Sequence, residues 1–229
     1  MRPRTWNCTC SQLRIWKTPP TPKFAEHCGN RQEPRLRYQI RSTTRALGLQ
    51  FAGMHKLLVR SAPLVVVYPA DDDFNPGILD RMVALARQGC DVVCASRFIP
   101  GGTMRGCPWL KATLVRSAAF TLHHFARLPT HDPTSGFRLF SRRVIENLQI
   151  ESDQGFTYSL ELLVKAHRLG WRIGEVPALW FERKHGASRF RVIKWLPAYL
   201  RWYGYAFATT FLRRPPDTVA RKPQTHGAS

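Results

Sequence analysis

The feature that most constrains this chain is the passage from Leu64 to Ser96, which reads strand, turn, helix, strand. Leu64 to Tyr68 is a short apolar, β-branched run of the kind buried on both faces of a sheet. Asn75 and Pro76 have the chemistry of a helix start, with the Asn amide as cap and Pro at a position that loses no hydrogen bond. Ile78, Met82, Leu85 and Ala86 recur at helical spacing, and Gly89 is placed to stop the helix. "DVVCAS", from Asp91, is the next apolar run. This pattern predicts a βαβ unit with parallel strands and hence an α/β fold. Asp71, Asp72 and Asp73 then fall in the loop beyond the carboxyl end of a strand, where open α/β sheets bind ligands.

Three adjacent carboxylates repel one another, so they need either full solvation or a compensating cation. The need is sharper in a chain of 229 residues with formal net charge +20. Aspartates two apart in a loop can turn toward one hard divalent ion, the middle one pointing away. A solvated cap and turn is the plainer alternative.

A hydrophobic content of 44% supports a real core in one domain with an appendage. Residues 1–60 hold 12 Lys/Arg against 2 Asp/Glu, and their prolines and lack of period predict little order before about Tyr38. The first residues do not read as an export signal, and the six cysteines form no C-x-x-C pair. Reduced thiols in a cytoplasmic protein are expected, and a zinc site is not. So basic a chain raises nucleic-acid binding as a reading. No helix-turn-helix, zinc-finger or RNP-type signature accompanies the charge, and anionic lipid or polyphosphate ligands account for it equally well.

Three further stretches carry chemistry. "ASRFIPGG" (95–102) puts Arg97 at a strand end before a glycine pair, read as a mobile loop. "DPTSGFRLFSR" (132–142) brackets a Ser-Gly turn, Ser135 and Gly136, between Asp132 and Arg138, either as a site or as a self-contained turn with an ion pair. "WFERKHGASRF" (180–190) is a strand end entering a basic, glycine-containing loop with Arg183, His185, Ser188 and Arg189. Between the last two, "FTYSLELLVKAHRLG" predicts a helix closed by Gly170, with Glu161 at the edge of its apolar face as partner for a nearby Arg.

Taken in order, A-D-D-D, A-S-R-F-x-x-G-G, D-x-x-S-G-F-R, E-V-P and R-x-x-G-x-S-R resemble family 2 glycosyltransferases. The branch is that of the dolichol-phosphate (polyprenyl-phosphate) mannosyltransferase-like enzymes, over residues 40–195. The resemblance implies a GT-A-like sheet with flanking helices, inverting transfer of a hexose from a nucleotide sugar donor to a polyprenyl phosphate or other membrane-linked acceptor, and a divalent metal, Mg or Mn. It assigns Asp71 and Asp73 to the metal and diphosphate, and Arg97, Lys111 and Arg116 to the acceptor phosphate. Asp72, Asp132, Ser135, Arg138, Arg183, Ser188 and Arg189 join the substrate-binding set. An ionised acceptor phosphate needs no general base; it needs guanidinium groups that hold one anion beside another.

Departures accompany the likeness. The family's P-x-Y-N-E and D-D-x-S-x-D strands have no counterpart in residues 1–60, so the sheet is expected to be N-terminally incomplete, with an unpaired edge and little nucleobase selectivity. The metal motif is D-D-D in place of D-A-D, and Val115 stands where many relatives have Ser. A non-catalytic remnant that binds membranes or a partner is the alternative.

"VIKWLPAYLRWYGYAFATTFL" (192–212) is rich in aromatics and has only Lys194 and Arg201 as charges. It predicts either an amphipathic helix in the membrane interface or a helix packed on the sheet. The expected organisation is a basic, disordered segment 1–37, a GT-A-like domain 38–191, an interface helix 192–214 and a disordered tail 215–229, peripheral on the cytoplasmic membrane face.

Overall fold

The computed structural model describes residues 13–16, 38–41, 63–67, 75, 77–152, 157–182 and 192–222. Asp71, Asp72, Asp73, Arg183, His185, Ser188 and Arg189 lie outside them.

The sheet contains β1 (Leu13–Trp16), β2 (Tyr38–Arg41), β3 (Leu64–Val67), β4 (Val92–Ser96), β6 (Arg138–Ser141) and β7 (Ile173–Pro177). Their spatial order is β2-β1-β3-β6-β4-β7. A two-stranded sheet pairs β5 (Thr103–Arg105) with β8 (Leu179–Phe181) in parallel. The helices are α1 (Ile78–Arg87), α2 (Trp109–His124), α3 (Arg142–Asn147), α4 (Thr157–Arg168) and α5 (Val192–Phe211).

Strands β3 and β4 run in the same direction, as the sequence pattern predicts, but they do not touch. β6 lies between them, antiparallel to both, with Leu139 opposite Val66 and Val93 and Phe140 opposite Val65 and Val92. Alternation then builds two cores. Val65, Val92, Cys94 and Phe140 pack toward α4, α5 and the end of α2, while Val66, Val93, Ala95 and Leu139 pack toward α1. Near-continuous apolar strands are what a sheet covered on both faces requires.

Three expectations are corrected here. Leu13–Trp16, inside the segment expected to lack order, forms a strand parallel to both β2 and β3. It occupies the edge of β3 that was expected to be unpaired, and a sheet edge is a strong template for such pairing. Asn75 does not cap α1, whose N-cap is Gly77 in the left-handed region at φ 68°. Its amide instead forms a two-way clamp on the backbone of Leu179, accepting from the Leu179 N–H at 2.7 Å and donating to the Leu179 carbonyl at 2.9 Å. That clamp fixes Asn75 against β8. Finally, the Gly101-Gly102 stretch is a tightly packed turn rather than an open loop. A Cβ on Gly102 would lie 2.5 Å from the Ser96 carbonyl oxygen, and the Gly102 N–H donates to Ile99 O at 2.8 Å.

Helix α4 is buried almost all round, and Glu161 is fully buried in it. Its partner is not an arginine but Lys165, one turn on, at 2.7 Å. The Lys165 ammonium also donates to Glu151 and to the Gln149 carbonyl, and Glu161 accepts the backbone N–H groups of Glu151 and Ser152. A charge pair this deep is tolerable only because nearly every lone pair and proton has a partner. Helix α5 packs one face on the protein and leaves another exposed. Trp202 and Ala206 are buried against α4, whereas Leu196, Leu200 and Phe211 are exposed. Among the described residues no helix is long and apolar enough to cross a membrane.

Candidate active site

The carboxyl ends of β3 and β4 point to one rim, and the loops there carry the candidate residues. Arg97 is the first residue after β4, and its side chain is only 12% exposed. It grips Asp132, which is fully buried, with three donors: Nε at 2.6 Å, Nη2 at 2.8 Å and its backbone N–H at 3.0 Å. Thr134 completes the knot, accepting from Arg97 Nη2 at 2.8 Å and donating to Asp132 at 3.0 Å. Burial would raise the Asp132 pKa, but the Arg97 guanidinium and its hydrogen bonds outweigh it and hold this carboxyl below its ordinary range.

The turn between Asp132 and Arg138 is therefore not closed by an ion pair of those two. Arg138, fully buried, donates to the carbonyls of Pro133 and Ser159, tying the turn to the first turn of α4. Asp132 reaches across to the β4 rim instead, where Arg97 meets it with a bidentate fork, while the Nη groups of Arg138 are engaged by the Pro133 and Ser159 carbonyls. Ser135 accepts from the Phe137 N–H and shapes the turn. The loop's start is fixed by Glu175 of β7, which accepts from Thr130 Oγ1 at 3.0 Å and from the His131 N–H at 2.9 Å.

Lys111 and Arg116 enter from α2. Lys111 lies 2.9 and 3.2 Å from the two oxygens of Glu182. Its ammonium is 5.3 Å from the centre of the Trp180 ring, and the Arg97 guanidinium is 6.0 Å from the same ring. Trp180 sits opposite Met104 in the β5–β8 pair, and Arg97 Nη1 touches the Met104 sulfur at 3.7 Å. Arg116 is exposed. Cys107 marks the centre of this group. Burial raises its thiol pKa, Lys111, Arg97 and Arg116 pull it down, and Glu182 pushes it up. Arg97, Lys111 and Arg116 thus each lie within electrostatic reach of Cys107. Sequence reasoning missed Thr134, Trp180 and Glu182 as members of the site. Trp180 and Glu182 lie inside a stretch already singled out, but nothing in their spacing marks them.

Among the described residues, no group of three or more His, Cys, Asp or Glu side chains could hold a metal ion. The donors proposed for one, Asp71 and Asp73, fall between Val67 and the Asn75 clamp, and their hard oxygen chemistry suits Mg or Mn.

No family model matches the chain. It is 28% identical over 174 residues to a polyprenol monophosphomannose synthase of Mycolicibacterium smegmatis, covering 70% of this chain and 66% of that protein. It is 27% identical over 161 residues to an undecaprenyl-phosphate mannosyltransferase of Micrococcus luteus, covering 69% and 66%. The chain thus spans about two thirds of the curated relatives it matches. Among solved structures, glucosyl-3-phosphoglycerate synthase of Mycobacterium tuberculosis superposes with a TM-score of 0.55 at 14% identity, over 85% of this chain and 81% of that one. The chain has a GT-A-like fold and is similar in sequence to polyprenyl-phosphate mannosyltransferases. The same synthase has been solved with Mn2+, uridine diphosphate and phosphoglyceric acid (TM-score 0.53, 15% identity, 87% of this chain and 78% of that one) and with Mg2+ and uridine diphosphate (0.54, 14%, 93% and 87%). In this GT-A chain the Arg97 rim lies at the carboxyl end of β4, on the side where such sheets take ligands.

Proposed function

We propose that this chain transfers a hexose, most simply mannose, from a nucleotide diphosphate sugar to a polyprenyl phosphate, with inversion at the anomeric carbon. The observation that carries the reading is the rim in which Arg97, clamped by Asp132, and Lys111 both lie beside one indole, that of Trp180. Clamping removes the conformational freedom of a long side chain, so Arg97 contributes to the rim at little further entropic cost. The acceptor phosphate is the nucleophile and is already ionised. The work of Arg97 and Lys111 is to hold that anion in line with the anomeric carbon against the repulsion of the donor diphosphate.

Asp71 and Asp73 would hold a divalent cation, which when bound neutralises charge on the nucleoside diphosphate leaving group. Asp132 and Thr134 keep Arg97 in register, and Arg138 holds their turn on α4. Sequence similarity to two proteins named for polyprenyl-phosphate mannosyl transfer supports the substrate class.

A peripheral position on a membrane fits the same reading. Helix α2 exposes Trp109, Leu110, Leu114 and Phe120, and α5 beside it exposes Leu196 and Leu200. The two helices contain no Asp or Glu, so nothing on them opposes an anionic lipid surface.

The test is Asp73→Asn and Asp71→Asn, assayed for transfer of labelled mannose to undecaprenyl phosphate alongside thermal unfolding. Turnover should fall by about two orders of magnitude or more, since the substitution removes transition-state charge compensation. The melting temperature should move little. Parallel loss of both, or unchanged turnover, would assign the aspartates a structural role only.

A further inference from the structure

We propose that Arg168 and Arg214 form a phosphate-binding site at the carboxyl end of α5, occupied by a headgroup phosphate of a bilayer lipid while Phe211 and Leu212 enter the bilayer beside it. The inference rests on the peripheral membrane position proposed above. The site is distinct from the Arg97 rim: Arg168 is the last residue of α4, about 13 Å along that helix from Ser159, to which Arg138 ties the rim.

Arg168 is only 8% exposed. Its Nε donates to Thr209 Oγ1 at 2.9 Å, its Nη1 to Thr218 Oγ1 at 3.0 Å and its Nη2 to the Tyr205 carbonyl at 2.9 Å. The Tyr205 ring centre lies 3.3 Å from the guanidinium, and the buried Tyr205 hydroxyl has no hydrogen-bond partner. All of these groups are neutral, and among the described residues no carboxylate pairs with Arg168. The nearest charge that acts on it is another cation. Burial lowers the Arg168 pKa and the like charge of Arg214 lowers it further, with Tyr205 opposing them. A guanidinium this enclosed normally has a counter-charge. Here the second N–H of each Nη and the whole Arg214 side chain remain for an anion.

The surroundings say which anion. Thr209 and Thr218 bracket a turn in which α5 ends at Arg213, whose φ of 45° is costly for a residue with a side chain. The chain then returns through Pro216–Thr218 and buries Val219 in the core. This turn leaves Phe211 63% and Leu212 65% exposed, with Arg213 and Arg214 on the surface around them. The end of α2 lies alongside, where Thr210 donates to the Ala126 carbonyl at 2.7 Å and Phe125 is half exposed. Apolar side chains ringed by arginines match the boundary between acyl chains and anionic headgroups. Beyond Glu182 the chain has ten Lys and Arg against one acid, Asp217, so an anionic surface is the partner that charge favours.

The experiment measures co-sedimentation of the full 229-residue chain with vesicles of phosphatidylcholine, alone or mixed with phosphatidylglycerol. Wild type should favour the mixed vesicles. Arg168→Gln should lower its partition coefficient on them by about ten-fold, the scale of a charge-assisted hydrogen bond. Arg214→Gln, at an exposed position, should lower it by about five-fold and serves where Arg168→Gln does not fold. Arg87→Gln makes the same charge change on α1, across the sheet, and should alter it by less than about two-fold. Equal losses in all three variants, or none, overturn the site and leave the membrane position standing. Wild type that binds neither vesicle overturns the membrane position, and the site with it. Wild type that binds both vesicles equally inserts by its apolar side chains alone, which overturns the headgroup site. A melting temperature raised by inorganic phosphate in wild type but not in Arg168→Gln, with equal vesicle binding by the two, assigns the site to soluble phosphate and overturns the lipid.

Discussion

Replacing Asp132 with Asn tests whether the rim is built as described. The Asp132 carboxylate is fully buried and receives three N–H donors from Arg97 and the hydroxyl of Thr134. Asn keeps one oxygen and substitutes an NH2 group, which turns its donors toward a guanidinium that has only donors. It also leaves Arg97, 12% exposed, without its counter-charge. Breaking a buried pair from one side costs about 3–5 kcal/mol, because the remaining charge stays buried. In a chain of this size that corresponds to a fall in melting temperature of about 10 °C. The assay is urea and thermal unfolding of Asp132→Asn, Arg97→Met and the double variant. The two single losses should be strongly non-additive, with Arg97→Met nearly neutral once Asp132 is gone. A loss below about 1 kcal/mol, the range of a surface pair, or simple additivity would refute the buried clamp.

Two further outcomes follow from the same geometry. The depressed Asp132 pKa lies below the ordinary value of about 3.9 of an unfolded chain. Its stabilisation is therefore complete above about pH 4 and lost as pH falls through the folded value, so the acid limb of stability should be shallower in Asp132→Asn than in wild type; identical limbs would remove Asp132 from the acid transition. Gly102→Ala should lower stability by more than about 2 kcal/mol, because the new Cβ meets the Ser96 carbonyl at 2.5 Å and the Arg97 carbonyl carbon at 2.9 Å, both backbone. An unchanged urea midpoint would mean that the turn opens freely.

Period and punctuation carry the strands at residues 64 and 92, the helix that Gly89 ends and the helix that Gly170 ends, because these depend on local alternation and on a glycine with positive φ, at 95° and 68°. The ordered motifs carry the GT-A fold, and Arg97 and Lys111, which they single out, both lie beside the Trp180 ring. Partner choice is another matter. The sequence suggests Asp132 with Arg138 and Glu161 with an arginine, yet the fold pairs Asp132 with Arg97, 35 residues away, and Glu161 with Lys165. It places β6 between two strands that look adjacent, and turns Asn75 from a helix cap into a clamp on Leu179, 104 residues on. A buried charge is matched by whatever group the packing brings within hydrogen-bond distance, and that distance is set by elements meeting in space. Local spacing determines which residues are oriented together along one element. Only the assembled sheet decides which of them neutralise one another.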